Sequence, residues 1–216
     1  MKYNIIGSSS KGNAIILEDN ILLDCGVSYT KLKPYLKDIK LIFISHVHKD
    51  HLLPSTIKKI AFNYPTIKFL TGSKQVVSKL VESGVCKKCI YILPIKKKYD
   101  LGLCKVKLEP LEHDTPNFAL KCEYKGMKCI YIVDTANVDN IKAENYDLYL
   151  IESNYKEDIL SEHLLNCEEE DRIYLDRVPL THLSYEKCND FLINNMGADS
   201  NYQYIHQSSF NFKEDI

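Results

Sequence analysis

Directly after the apolar run Leu41, Ile42, Phe43, Ile44 and Ser45, the chain reads His46-Val47-His48-Lys49-Asp50-His51. Three imidazoles and a carboxylate within six residues constrain the fold more than any other feature. In extended backbone, side chains alternate, so His46 and His48 share a face and can share one cation. Asp50 and His51 fall past a bend and can reach a second. Imidazole nitrogens and carboxylate oxygens suit zinc, manganese or iron. The alternative is an ordinary polar loop, and the rest of the chain argues against it. Asp24 closes one apolar run, His113 follows another, Asp134 and Glu152 close two more, and His206 follows a last. A His, Asp or Glu stands at each of these strand-to-loop junctions. Strand ends on a rigid sheet are where distant segments can assemble one site.

Apolar runs with period-two alternation predict strands at 3–6, 14–17, 21–24, 41–45, 67–71, 89–93, 105–110, 118–124, 127–134, 148–152 and 202–206. Helical periodicity predicts helices at 29–36, 55–63, 74–81, 157–166 and 184–194, the last capped by Ser184. Glu18-Asp19-Asn20 and Lys125-Gly126 read as hairpin turns. No repeat and no linker rich in Gly, Pro or Ser interrupts the pattern, which predicts one domain over 1–216. Strand-rich stretches at both ends with helices between them predict an α/β (α+β) fold of two sheets covered by helices.

Seven histidines and eight cysteines stand out from an ordinary composition. The opening residues contain no long apolar segment, and no run approaches the roughly 18 residues of a membrane span, so the expectation is a cytoplasmic chain that meets no membrane. Its thiols would stay reduced and serve as small core residues. Cys86 and Cys89 form a Cys-x-x-Cys without two further ligands nearby, and read as a loop entering a strand. Lys87, Lys88, Lys96, Lys97 and Lys98 form the densest basic run, and His163 reads as a helix surface residue. With a net charge of -1, bulk attraction to nucleic acid is absent, and any such binding must rest on a local patch.

The His-x-His-x-Asp-His segment resembles the signature of the metallo-β-lactamase superfamily, and the other junction residues follow that family's motifs in order. The resemblance implies a four-layer αββα sandwich with two divalent metal ions, zinc the first choice, manganese and iron acceptable. By it, Asp24 braces the metal loop. His46, His48 and His113 hold one ion, Asp50, His51 and His206 the other, and Asp134 bridges. A water activated between two such ions makes a hydrolase. The secreted β-lactamases carry Cys where Asp134 stands, and the flavodiiron proteins carry Glu where His48 stands.

The YycJ/WalJ-type exonuclease branch fits better. The loop from Gly7 to Asn13, Glu112-His113-Asp114, Glu152-Ser153-Asn154, Thr181-His182-Leu183-Ser184 and His206-Gln207-Ser208 with Asn211 each resemble a stretch of that branch. Tyr155 and Lys156 stand where it usually has His-Asp. The implied catalytic residues are Asp50, Glu152 and His182, with Glu152 holding His182 to steady a phosphate and protonate the leaving oxygen. Taken alone, His182 is a polar residue before a capped helix and Glu152 a strand-end acid. The expected function is a binuclear phosphodiesterase or nuclease of the 5′-to-3′ DNA exonuclease type, with nucleic acid, DNA first, as substrate. A small-molecule metallohydrolase acting on a thioester, lactone or cyclic nucleotide is the alternative, and a non-catalytic metal-binding scaffold the second. Oligomeric state is open.

Overall fold

A computed structural model describes residues 1–208, so Asn211 lies outside the described residues. Two mixed sheets face one another. The first runs β1 (Tyr3–Gly7), β2 (Ala14–Leu17), β3 (Ile21–Leu23), β4 (Leu41–Phe43), β5 (Lys68–Thr71) and β6 (Ile90–Ile92), adjacent in that order. The second holds β7 (Lys98–Asp100), β8 (Lys105–Leu111), β9 (Asn117–Tyr124), β10 (Met127–Ile132), β11 (Leu148–Glu152) and β12 (Asn201–Ile205), again in chain order. Each sheet opens with antiparallel hairpins and continues with parallel strands, from β3 to β6 in one and from β10 to β12 in the other. The two halves thus share a plan, antiparallel strands first and parallel strands after, with the switch one strand later in the second sheet.

Strand alternation decides which residues meet between the sheets. Ile15, Leu17, Leu23 and Phe43 of the first sheet pack against Leu108, Leu120, Tyr131 and Leu150 of the second. Their neighbours Ala14, Ile16, Leu22 and Ile42 turn outward, under α1 (Tyr29–Leu32), α2 (Pro54–Asn63) and α3 (Lys74–Glu82). On the other side Ile130, Ile132, Tyr149 and Ile151 meet α6 (Tyr185–Asn195) through Cys188, Phe191 and Leu192. The result is the four-layer αββα sandwich. With both faces covered, the central strands are apolar throughout, which is why they read as unbroken runs.

The turns follow local chemistry. Lys125 and Gly126 both have positive φ, 50° and 83°, the geometry of a two-residue hairpin turn that matches strand twist. Glu18 and Asp19 are also left-handed, at 50° and 61°. The expected helix over 29–36 is regular only to Leu32. Lys33 keeps helical backbone, but Pro34 has no N–H to extend the ladder, and the rest runs on as turns. β7 and one helix lie outside the expected elements. α4 (Glu157–Asn166) matches its expected span, but α5 (Glu169–Thr181) buries only Leu175 and Val178, carries Pro179 in its last turn and shows no apolar stripe. With Tyr155 and Leu160, these two residues form a small separate cluster joining α4 and α5.

All eight cysteines are free thiols, and Cys25, Cys89, Cys104, Cys122, Cys129 and Cys188 are buried packing residues. Cys86 is exposed, and the Cys89 thiol donates to the Pro65 carbonyl at 3.4 Å. Among the described residues, no helix is long and apolar enough to cross a membrane.

Candidate metal centre

Six of the histidine and acid positions singled out above lie at or just past strand ends at one edge of the sandwich. Asp24 follows β3 and is completely buried. Its Oδ1 accepts from the Ser45 backbone N–H at 2.8 Å. Its Oδ2 accepts from Ser45 Oγ at 2.8 Å, from the Tyr131 hydroxyl at 2.8 Å and from His51 Nδ1 at 2.7 Å. Four donors thus hold one carboxylate, which ties β3 to the loop after β4 and to β10 across the sheet interface.

The rings share one plan: one nitrogen is anchored to the scaffold and the other is turned inward. Ser45 Oγ gives its proton to Asp24, so it accepts from His46 Nδ1 at 3.0 Å. That leaves His46 Nε2 facing Asp134 Oδ2 at 3.3 Å, buried and without a hydrogen-bond partner. His51 Nε2 lies 3.1 Å from both Asp50 Oδ2 and Asp134 Oδ2. His113 Nδ1 donates to the Thr181 carbonyl at the end of α5 (3.0 Å), and its Nε2 is 3.3 Å from His48 Nδ1. His206 Nδ1 donates to Glu152 Oε1 at 3.0 Å, and its Nε2 is 3.3 Å from Asp50 Oδ2. An anchored ring presenting its second nitrogen is how metal-ligating imidazoles are oriented.

Ligand-capable atoms gather in three groups, each within 4.8 Å: His46, His48, His113 and Asp134; Asp50, His51, Asp134 and His206; and Asp134, Glu152, His182 and His206. Asp134 belongs to all three. Its Oδ1 is a second buried atom without a hydrogen-bond partner. Two unpartnered buried polar atoms, aimed into a set of nitrogens and carboxylate oxygens, fit a divalent cation and would be costly without one.

The electrostatics agree. Burial would raise the Asp134 carboxyl, but the rings of His206 and His51 outweigh it and hold the acid well below the usual range. Burial and the neighbouring His51 push His46 down to about 4, leaving its inward nitrogen an unprotonated lone pair at neutral pH. His206 goes the other way, to about 10: burial lowers it, but Asp134, Asp50 and Glu152 together prevail. The surrounding acids demand positive charge, from protons or from a metal ion.

Glu152 is buried and fixed. Its Oε2 accepts from the backbone N–H groups of Thr135 (3.0 Å) and Leu183 (3.1 Å), and its Oε1 accepts from His182 Nδ1 at 2.7 Å. The His182 ring stacks on His206 at 5.3 Å between centroids. It lines an open cleft of about 270 Å3 together with Asp114, Tyr174 and Arg177. Burial lowers His182, yet the Glu152 charge and hydrogen bond raise it overall.

Three of these residues sit in left-handed backbone: Asp24 at φ 58°, Asp134 at 49° and His206 at 52°. Such strain concentrates at functional sites and needs support. Asn117 Nδ2 supplies it for Asp134 by donating to the carbonyls of Val133 and Asp134, both at 2.7 Å. Ser8 Oγ accepts from the His206 N–H at 2.7 Å. The opening loop holds Asp50: the Asn13 backbone N–H donates to its carbonyl at 2.7 Å. Gly26 lies so near that a Cβ there would stand 1.6 Å from the same oxygen.

Every residue named as a candidate ligand or catalyst is therefore in one cluster, and His163 on α4 lies outside the three groups. Ser45, Asn117, Tyr131 and Arg177 carry no signal of their own in the sequence. The first three look like ordinary strand-border residues, and Arg177 lies on the unexpected α5.

The model of the beta-lactamase superfamily domain matches residues 19–179. The exodeoxyribonuclease WalJ of Streptococcus pneumoniae is 28% identical over 94% of this chain and 80% of its own length. The inactive cytidine monophosphate-N-acetylneuraminic acid hydroxylase of Homo sapiens is 37% identical over 98 residues, 44% of this chain, and the match spans only 20% of that protein. Two solved structures share the fold. The metallo-beta-lactamase fold protein YhfI of Bacillus subtilis has a TM-score of 0.73 at 14% identity, covering 97% of this chain and 87% of its own. The short form of human tRNase Z has 0.70 at 17%, covering 97% and 93%.

Proposed function

The chain belongs to the beta-lactamase superfamily, and on that premise we propose that it is a metal-dependent phosphodiesterase, a nuclease on DNA of the 5′-to-3′ exonuclease type. One observation carries the reading: Asp134 is shared between two nitrogen-rich ligand groups, and His182, held by Glu152, stands beside them in an open cleft. The relationship to WalJ along most of the chain supports the choice of substrate.

In this reading His46, His48 and His113 would hold one divalent ion and Asp50, His51 and His206 a second, and Asp134 belongs to both ligand groups. Bound there, such ions acidify water and offset the charge that builds on a phosphate. The remaining work falls to the chain. Asp24 keeps His51 and the loop of His46 in place from beneath. Asp50 faces the rings of His51 and His206 at the mouth of the cleft. Glu152, immobilised by two backbone donors, keeps His182 protonated on Nδ1 and its ring fixed. Raised by the Glu152 charge and hydrogen bond against burial, His182 is favoured in the protonated form that can give a proton to the leaving oxygen.

Two expected results follow. First, cation binding displaces protons. His206 titrates near pH 10, so at neutral pH its proton must leave when the second group takes up a metal. Titration calorimetry with zinc in buffers of different ionisation enthalpy should show release of about one to two protons, with affinity rising as pH rises. Second, His182→Ala should lower turnover of bis-p-nitrophenyl phosphate on the order of 10²-fold, with metal content unchanged. Glu152→Gln should lower it less.

The deciding experiment supplies zinc, manganese or iron and offers bis-p-nitrophenyl phosphate and a 5′-labelled DNA duplex beside thioester and lactone substrates. Shortening of the DNA from its 5′ end is the expected result. Thioester or lactone turnover without any phosphodiester cleavage would replace this reading by a small-molecule hydrolase. Metal uptake without any turnover would leave a binding scaffold.

A further inference from the structure

A second and larger depression, of about 740 Å3, adjoins the cleft and shares Ser10 and Asp50 with it. Three of its lining residues are glycines. Gly7, Gly12 and Gly26 pack so closely that a Cβ on any of them would fall within 2.7 Å of a neighbouring atom. Its rim carries Lys11, Lys31 and Lys49, all exposed. These come from three separate segments: the loop after β1, α1, and the histidine-rich loop itself. None of the three is in an ion pair among the described residues. The one acid lining the groove is Asp50, which faces the metal centre.

The lysines at the start of the second sheet, where the densest basic run ends, behave differently. Lys98 and Lys105 both pair with Glu123, at 2.7 and 3.4 Å, and Lys107 pairs with Glu109 at 2.7 Å. Each of those cations already has a carboxylate beside it. In the groove, three lysines without an ion pair among the described residues stand beside the site and lead to it.

We propose that this groove is the track of a single nucleic-acid strand, its phosphates paired with Lys11, Lys31 and Lys49 while its end reaches the cleft past Ser10 and Asp50. The inference rests on the nuclease reading and adds to it the path of the substrate. A single strand suits the geometry. Lysine ammoniums contact phosphates as point charges, the close-packed glycines join the loops that carry Lys11 and Lys49 to the segment before α1, and a basic groove that tracks phosphates is the usual device for single strands.

The test compares the full chain with the triple variant Lys11→Ala/Lys31→Ala/Lys49→Ala and with a charge-matched control, Lys98→Ala/Lys105→Ala/Lys107→Ala. The probe is a short fluorescein-labelled oligodeoxythymidylate, followed by anisotropy as salt is raised, with thermal melting to verify folding. The groove variant should bind roughly 30-fold more weakly, and its dependence of log K on log salt should flatten by about 2, near 0.7 for each phosphate that a lysine no longer neutralises. The control should bind as the parent does. Equal binding by groove variant and parent, or equal weakening in the control, would overturn the proposal. Bis-p-nitrophenyl phosphate turnover by the parent is scored separately. A parent inert to that substrate whose oligonucleotide binding still depends on the groove lysines loses the nuclease reading and keeps the strand track.

Discussion

Replacing Asp134 by alanine should abolish phosphodiester turnover, by about 10⁴-fold or more, and reduce the bound metal to less than one ion per chain. The size follows from position. Asp134 is the one residue common to all three ligand groups, it is 2% exposed, and its two oxygens face His46, His51, His113, His182 and His206. Its removal leaves several buried rings with no anion among them, so mutual repulsion replaces attraction wherever two are protonated. A loss of 5–6 kcal/mol of charge stabilisation is about 10⁴ in rate. Asp134→Asn is the informative partner, because it keeps the shape and removes the charge. If the asparagine variant retains two ions and more than about a tenth of the turnover, the shared-carboxylate account is wrong. Metal content by elemental analysis and turnover of bis-p-nitrophenyl phosphate are the two readouts.

Asp24→Ala should cost about 3–5 kcal/mol of stability, enough to unfold a large share of the molecules at physiological temperature. Asp24 touches no cleft residue directly. Its charge is buried under Ser45, His51 and Tyr131, and alanine would strand four donors at once. His51, raised well above its ordinary value against burial by Asp134 and Asp24, would lose one of the three carboxylates beside it. Urea unfolding should therefore show a lower midpoint with unchanged slope, and zinc should recover part of the difference by binding only the folded chain. Asp24→Asn should fall between the two, since the amide keeps its volume and one acceptor. A variant as stable as the parent would mean that the hydrogen bonds merely decorate a site that packing already holds.

Much of this was legible in the residues for a definite reason. The parallel strands are buried on both faces, so their apolar runs are long, and each ends sharply at the first polar residue. That residue is the one that faces the site. Asp24, Asp134 and Glu152 announce themselves in this way, and His46 one residue later, after Ser45. Tyr131 does not, because a tyrosine in a strand looks the same whether its hydroxyl meets solvent or a buried aspartate. Asn117 opens β9 like any turn residue, yet it holds the left-handed backbone at Asp134. α5 is hidden because it packs by two residues on a helix pair of its own, and Arg177 is hidden with it. The lysines mislead in the same way. Lys96, Lys97 and Lys98 are conspicuous by adjacency, whereas Lys11, Lys31 and Lys49 become neighbours only after three segments fold together.

The two-sheet plan gives the site a mechanical meaning. Asp24, His46, His48, Asp50 and His51 ride on the first sheet, and His113, Asp134, Glu152 and His206 on the second. Either half by itself offers an incomplete set of donors. An ion gripped by both halves would act as a removable cross-link between them, and by binding only the folded chain it would add its binding free energy to stability. Eight free thiols form no such staple among themselves. The chemistry that cuts a substrate and the clasp that keeps two half-sandwiches from parting would then be the same few atoms.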